Sequence, residues 1–343
     1  MRVGVLTGGG DCPGLNAVLR AIVRKAEREY GDEVLGFYDG WRGVLEQDYE
    51  KLSVERMRGT LPRGGTVLGT SRLTPYMVDG GTDKVRAAAT DLGLDALIVV
   101  GGEGSLSCGL QVWRDGLLPI VGVPKTIDND IGATEMTIGF ATAVDIATEA
   151  IGRLHTTAES HDRVMVVEVM GRHVGHIAVW AGIAGGATMT LIPEEPFDIQ
   201  AVAEALQRRH QRGKYASIVV VAEGAVPKEG TLQIAAPEVD QYGHQRLGGI
   251  ANVVAQEIER RTGFETRVTV LGHVQRGGSP SAFDRVLCTW YGVAAIDAVH
   301  DGDYGKMVAL QNGEVVRVPL ETAVAELKTV NPDLYDVAKA FFA

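Results

Sequence analysis

The sequence predicts an α/β fold with mostly parallel strands arranged in two lobes. Short apolar runs recur along the chain, each ends in a loop rich in glycine or carboxylates, and a helical stretch commonly follows. At 343 residues the chain outgrows a single core. Apolar content of 45% with 44 glycines suits a sheet protein with many tight βα turns.

The first unit begins at once. Arg2 to Thr7 reads as a strand, Gly8-Gly9-Gly10-Asp11-Cys12-Pro13-Gly14 as a turn. Leu15, Val18, Leu19, Ile22, Val23 and Ala26 then line one face of a helix. Pro13 stands where a dinucleotide fingerprint needs its third glycine, and the loop lacks the Lys-Ser/Thr ending of a Walker motif. In the second unit, the strand Asp95 to Val100 runs into Gly101-Gly102-Glu103-Gly104-Ser105, and Leu106 to Gly116 is helix-like. Glycines between strand and helix let the backbone approach a phosphate, whose charge the helix amino terminus favours. Glu103 would repel that anion unless a metal ion lay between them, so the loop points to a magnesium-bound phosphate, with a tight βα turn and an exposed Glu as the alternative reading.

The third unit is the most informative. The apolar run Leu117 to Val123 ends in Pro124-Lys125-Thr126-Ile127-Asp128-Asn129-Asp130, which sets two carboxylates two residues apart. Open α/β sheets place ligands at the carboxyl ends of their strands, where one acid can accept a proton while the other supports a cation. A polar turn whose side chains cap their own backbone is the alternative reading.

Further on, Thr137 to Glu159 reads as a long helix, and the strand Arg163 to Val169 ends in Met170-Gly171-Arg172-His173. Ala216 to Ala222 ends in Glu223-Gly224, and Val268 to Leu271 in Gly272-His273-Val274-Gln275-Arg276-Gly277-Gly278. Pro227 to Gly249 is polar and turn-rich, an excursion or hairpin. Pro332 separates two short helices near the carboxyl terminus. Arg72, Lys125, Arg163, Arg172, Arg267 and Arg276 lie at or beside the loops and cluster at the expected sheet edge, as phosphate esters require. Arg163 opens its strand, faces away from its own lobe's loops and is expected to reach a neighbouring subunit.

A net charge of −11 without a basic run argues against nucleic acid. No stretch reaches membrane-span length, and the first residues read as a strand rather than a signal peptide. Cys12, Cys108 and Cys288 lack metal-ligand spacing and suit a reducing cytoplasm, with Cys12 read as a buried filler.

Taken in order, the segments GVLTGGGDCPGLN, RGGTVLGTSR, GGEGS, PKTIDND, SHDRVMVVEVMGR, AEG and TRVTVLGHVQRGGSP resemble those of the ATP-type 6-phosphofructokinases over essentially the whole chain. The resemblance implies transfer of the terminal phosphoryl of ATP to the 1-hydroxyl of fructose 6-phosphate, with Mg2+ as cofactor. It implies two Rossmann-like lobes with the active site in the cleft between them, residues 1–138 plus 252–300 forming the larger nucleotide-binding lobe and 139–251 plus 301–343 the smaller. It also implies a cytoplasmic homo-oligomer, usually a tetramer, with shared sites.

By resemblance, Asp128 matches the general base, Thr126 and Arg172 contact the transferring phosphoryl, Glu103 binds magnesium, and Asp130 supports the metal. Gly9, Gly10, Arg72, Leu73, Gly102, Glu103, Gly104 and Ser105 fall on the nucleotide site. Thr126, Ile127, Asp128, Met170, Gly171, Arg172, Glu223, His273, Val274, Gln275 and Arg276 fall on the sugar site, joined by Arg163 and Arg267 of the neighbouring subunit. Glu103 stands where the family more often has Asp. Lys125 resembles the pyrophosphate-dependent branch, while Gly104 resembles the ATP branch. The combination is similar to the mixed group of actinobacterial members. Arg20 and Arg24 match effector-site arginines, but His155 and Thr188 replace the Arg and Glu of well-studied bacterial relatives.

Two readings compete. A pyrophosphate-dependent phosphofructokinase differs only in its donor. A non-enzymatic two-lobed sugar-binding protein would need neither Asp128 nor Asp130. Pro13 disfavours a nicotinamide dehydrogenase.

Overall fold

The computed structural model describes residues 1–232 and 248–342, and the chain divides into two compact units, Met1–Thr142 with Arg276–Lys328 and Ala143–Gln275 with Thr329–Ala343. Strands among the described residues are, in chain order, β1 (Arg2–Gly8), β2 (Glu33–Phe37), β3 (Tyr49–Leu52), β4 (Ala96–Gly101), β5 (Ile120–Pro124), β6 (Val164–Val169), β7 (Met189–Leu191), β8 (Ser217–Ala222), β9 (Thr266–Val270), β10 (Lys306–Gln311) and β11 (Glu314–Pro319).

The first unit holds a seven-stranded sheet in the order β11-β10-β5-β4-β1-β2-β3, parallel except for the two outermost strands. Its central strands are apolar on both faces and buried throughout β4 and β5, as parallel sheets covered on both sides require. The register aligns Gly8 with Gly101 and Gly101 with Pro124. Three strands therefore end in one row, and the three loops foreseen as ligand-bearing emerge side by side.

The second unit holds a four-stranded parallel sheet in the order β7-β8-β6-β9. Val169 lies beside Ala222, and Glu168 beside Val270, so the loops after β6, β8 and β9 form a second row. The buried carboxylate of Glu168 accepts from the Gly249 and Ala251 amides at 2.9–3.0 Å, filling the amino terminus of the helix Ile250–Thr262. Burying that charge is tolerable because backbone donors pair it.

Both lobe boundaries differ from the expectation. Residues 252–275 belong to the second unit, because β9 pairs with β6. Residues 301–328 belong to the first, because β10 adds to β5 and carries β11 in an antiparallel hairpin. The hairpin turn is Asn312-Gly313, with φ of 53° and 78°, a strong two-residue signal passed over in the sequence. Smaller shifts follow the same logic. The helix after β4 spans Glu103–Arg114, three residues earlier than expected, so the glycine loop lies within its first turn. The long helix spans Phe140–His161, and Pro332 opens Pro332–Lys339 at the first helical position. Residues 233–247 of the foreseen excursion lie outside the described residues; before them, Phe197 bridges Pro227.

Candidate active site

Glycine at position 8 is set by the fold. A Cβ there would collide with the Ser105 hydroxyl, and one on Gly101 with the Ser105 Cβ, so the turns after β1 and β4 pack backbone against side chain. Gly9 adopts φ of 80°, its N–H donates to Ser71 O at 3.1 Å, and its carbonyl accepts from Thr70 Oγ1 at 2.5 Å. Those bonds fasten the segment carrying exposed Arg72 and half-buried Leu73 to the first glycine loop. Asn16, fully buried, donates to Arg63 O and Gly64 O at 3.0 and 3.1 Å and accepts from the Val67 amide, anchoring the same excursion.

Lys125 is only 2% exposed, and its Nζ donates to Gly10 O. Burial lowers its pKa, with nearby Arg276 adding to the effect and Cys12, Asp11 and Asp130 opposing it. The Arg276 guanidinium lies where a Cβ on Gly10 would meet its Nη1 at 3.0 Å. Two cations thus flank the Gly9–Gly10 turn, a placement that favours an anion there. Cys12, beside them, is inert: burial pushes its thiol up to about 12.

The loop after β5 is fixed by its own polar side chains. Thr126 Oγ1 accepts from the Asp128 amide at 3.1 Å, and Thr137 Oγ1 donates to Thr126 O at 2.6 Å. Asn129 takes φ of 54°, a left-handed turn that Asn tolerates, and its Oδ1 accepts from the Thr137 amide at 3.0 Å. Thr126 and Asn129 therefore do the capping of the alternative reading, while the partly exposed Asp128 and Asp130 are carried beside them and Ile127 is buried.

Glu103 is exposed at the start of its helix and accepts from Ser107 Oγ at 3.0 Å. Among the described residues no cluster of three or more His, Cys, Asp or Glu is placed to hold a metal. Mg2+ nevertheless binds through one or two carboxylates plus substrate phosphates rather than an all-protein cage, and Glu103 offers such a hard oxygen ligand. Gly102 extends into that helix. A Cβ on Gly104 would meet nothing within 4 Å, so the position faces open space.

In the second unit, Met170, Gly171 and Arg172 follow β6, Glu223 follows β8, and His273, Val274 and Gln275 follow β9. Gly171 has φ of 138°, and a Cβ would meet Val174 O at 2.6 Å. The Gly224 amide donates to Gly171 O at 3.2 Å, and Glu223 N to Val169 O at 2.9 Å, which joins the first two loops. His273 and Val274 are exposed, while Gln275 is buried and donates to Gly272 O at 3.1 Å.

Arg163 and Arg267 sit elsewhere. They occupy the amino ends of β6 and β9, where Glu265 pairs with both, at 2.8 Å for Arg163. The pair holds the Glu265 carboxyl below its ordinary pKa, chiefly through its bond to Arg163. The six foreseen cations thus do not form one cluster: within the first unit Lys125 and Arg276 adjoin Gly10, and within the second this couple lies at the end of the sheet opposite the loops. Glu265 carries no signal in the sequence, because an acid in the short link between a helix and a strand reads as ordinary surface.

Arg20 and Arg24 lie on the outer stripe of the helix Leu15–Lys25, whose other face is buried. His155 and Thr188 line a cavity of about 390 Å³ with Arg209 and Lys214. His155 Nε2 bonds Gly185 O at 2.7 Å, and Thr188 Oγ1 accepts from the Ile218 amide at 3.2 Å, so both serve their own unit's backbone.

The description phosphofructokinase belongs to the family profile that matches residues 2–299. A pyrophosphate–fructose 6-phosphate 1-phosphotransferase of Streptomyces coelicolor is 57% identical over 342 residues, covering 100% of both chains. An ATP-dependent 6-phosphofructokinase of Mycobacterium leprae is 53% identical over 343 residues, again 100% of both. The crystal structure of Pichia pastoris phosphofructokinase in the T-state matches with a TM-score of 0.84 at 32% identity, covering 99% of this chain and 36% of that one. The chain thus spans about a third of the Pichia chain, and relatives of similar identity carry different donors in their names. No helix among the described residues is long and apolar enough to cross a membrane.

Proposed function

This chain belongs to the phosphofructokinase family, and from that premise we propose that it transfers the γ-phosphoryl group of ATP to the 1-hydroxyl of fructose 6-phosphate, yielding fructose 1,6-bisphosphate and ADP. The observation that carries the reading is the row of three loops after β1, β4 and β5, which sets glycine turns, buried Lys125 and Asp128 along one edge of one sheet.

Asp128 accepts the proton of the 1-hydroxyl, whose oxygen then bonds to the γ-phosphorus as the bond to the ADP oxygen breaks. Gly9, Gly10, Gly102, Gly104, Ser105, Arg72 and Leu73 receive the nucleotide, with Lys125 and Arg276 offsetting its charge. Glu103 would hold Mg2+ with Asp130 in support, and the ion would neutralise charge on the phosphates. Thr126, Ile127, Asp128, Met170, Gly171, Arg172, Glu223, His273, Val274, Gln275 and Arg276 receive the sugar phosphate, and Thr126 and Arg172 steady the transferring group. Catalysis of this kind is positioning and electrostatics, with little covalent work for the protein. The protein acts in the cytoplasm, in the committed step of glycolysis, as a homo-oligomer, most simply a tetramer.

ATP is favoured over pyrophosphate by Gly104, which leaves room for the α-phosphate and nucleoside. Pyrophosphate is the second reading, favoured by Lys125 and by the name of the Streptomyces coelicolor relative. Acid release from ATP, fructose 6-phosphate and magnesium tests the reaction; chelation of magnesium is expected to abolish it.

Arg163 and Arg267 are assigned to the 6-phosphate of a neighbouring subunit's sugar, because they lie together at the sheet end away from their own unit's loops. Mixing inactive Asp128→Asn chains with inactive Arg163→Ala chains is then expected to restore part of the activity in hybrid oligomers. Subunit exchange without any recovery argues that each chain builds its whole site.

A further inference from the structure

The residues 320–328 lie along the loop that carries the paired carboxylates. Gly132 N donates to Ala323 O at 3.0 Å, Leu327 bridges Ile131, and Lys328 N donates to Asp130 O at 2.9 Å. The Lys328 side chain turns into the loop itself. Its Nζ donates to Asn129 Oδ1 at 2.9 Å, Thr134 O at 2.8 Å and Glu135 O at 3.0 Å. Asn129 is the left-handed residue between the two acids, and its side chain also donates to Glu135 O at 3.2 Å. Burial brings the Lys328 pKa down to about 8, and the negative charges of Asp130 and Glu135 oppose that fall.

One ammonium therefore ties Asn129, at the centre of the turn, to Thr134 and Glu135 of the return segment. A side chain without a donor there would take this partner from Thr134 O and leave Asn129 Oδ1 to Thr137 and Glu135 O to the Asn129 amide group. A left-handed Asn between two like charges is also the part of the loop most ready to relax, since αL backbone costs free energy unless the surroundings enforce it.

We propose that Lys328 is a positioning residue for phosphoryl transfer, holding the Asp128–Asp130 turn in its reactive conformation through Asn129. The proposal rests on the assignment of Asp128 as proton acceptor. Lys328 touches neither substrate in this account; it acts through the loop, and a displacement of about 1 Å at a reacting group can cost about a hundred-fold in rate.

Lys328→Met removes the charge and keeps the length. The expected result is a fall in kcat of about ten- to a hundred-fold with the fructose 6-phosphate KM changed only a few-fold, and faster hydrogen exchange at the Thr137 amide. Lys328→Cys treated with 2-bromoethylamine rebuilds an ammonium of nearly the same length, and is expected to recover kcat; Cys12, Cys108 and Cys288 are buried, and the treated parent protein serves as control. An unchanged kcat, a rise in KM alone, or loss without recovery on alkylation overturns the proposal. If Asp128→Asn proves active, the proton-acceptor assignment fails separately. The Thr137 exchange rate then still decides whether Lys328 holds the turn: no acceleration in Lys328→Met refutes it.

Discussion

Asp128→Asn is expected to lower kcat by roughly a hundred- to ten-thousand-fold, the usual loss when a general base is removed. The substitution is nearly isosteric, and the turn has supports besides the carboxylate. The Asp128 amide is held by Thr126 Oγ1 at 3.1 Å, and the left-handed Asn129 is held by Thr137 and Lys328. Both substrates are therefore expected to bind the variant with affinities close to those of the parent. The loss should fall on kcat, since an interaction made only as the hydroxyl gives up its proton does not contribute to ground-state binding. Steady-state kinetics over a range of pH checks this. Turnover within a few-fold of the parent, with an unchanged pH profile, removes Asp128 from the role of base.

Gly104→Asp is expected to depress the use of ATP by about a hundred-fold or more, because juxtaposed like charges cost several kcal/mol and each 1.4 kcal/mol is a factor of ten. The fold should not suffer. A Cβ at this position meets nothing within 4 Å, its φ lies outside the left-handed region, and an acid in the first turn of a helix is favoured by the helix dipole. The new carboxylate would occupy the space assigned to the α-phosphate, so the nucleotide should be hurt and the sugar phosphate spared. Pyrophosphate activity need not appear, because the remaining contacts are unaltered. Donor and sugar kinetic constants measured side by side separate the outcomes: an ATP kcat/KM within a few-fold of the parent removes Gly104 as the determinant of donor choice.

The sequence and the structure agree best where the signal is local. Continuous apolar runs such as Ala96 to Val100 and Ile218 to Ala222 announce buried parallel strands, and the glycines and acids after them announce the loops. Boundaries set by distant pairing were not visible: β9 joins the second sheet and β10 the first, and neither strand's own pattern names its neighbour. Gly104 reads as loop in the sequence, yet it lies in the first turn of the helix Glu103–Arg114, which accommodates it. In the sequence Lys125 is a charge beside the expected phosphates; in the fold it is buried and donates to Gly10 O, so it also supports that glycine turn. Replacing Lys125 with Gly consequently removes packing as well as charge. Lys328 and Glu265 carry no local signal: the first acts on Asn129, far away in sequence, and the second joins its near neighbour Arg267 to the distant Arg163 within its own unit.

The central claim is phosphoryl transfer from ATP to fructose 6-phosphate, and its most direct test is one experiment with the purified wild-type protein, magnesium and fructose 6-phosphate. Equal concentrations of ATP or pyrophosphate are supplied in parallel, and formation of fructose 1,6-bisphosphate is followed. The account predicts turnover with ATP, accompanied by stoichiometric ADP; turnover with pyrophosphate and none with ATP would contradict it.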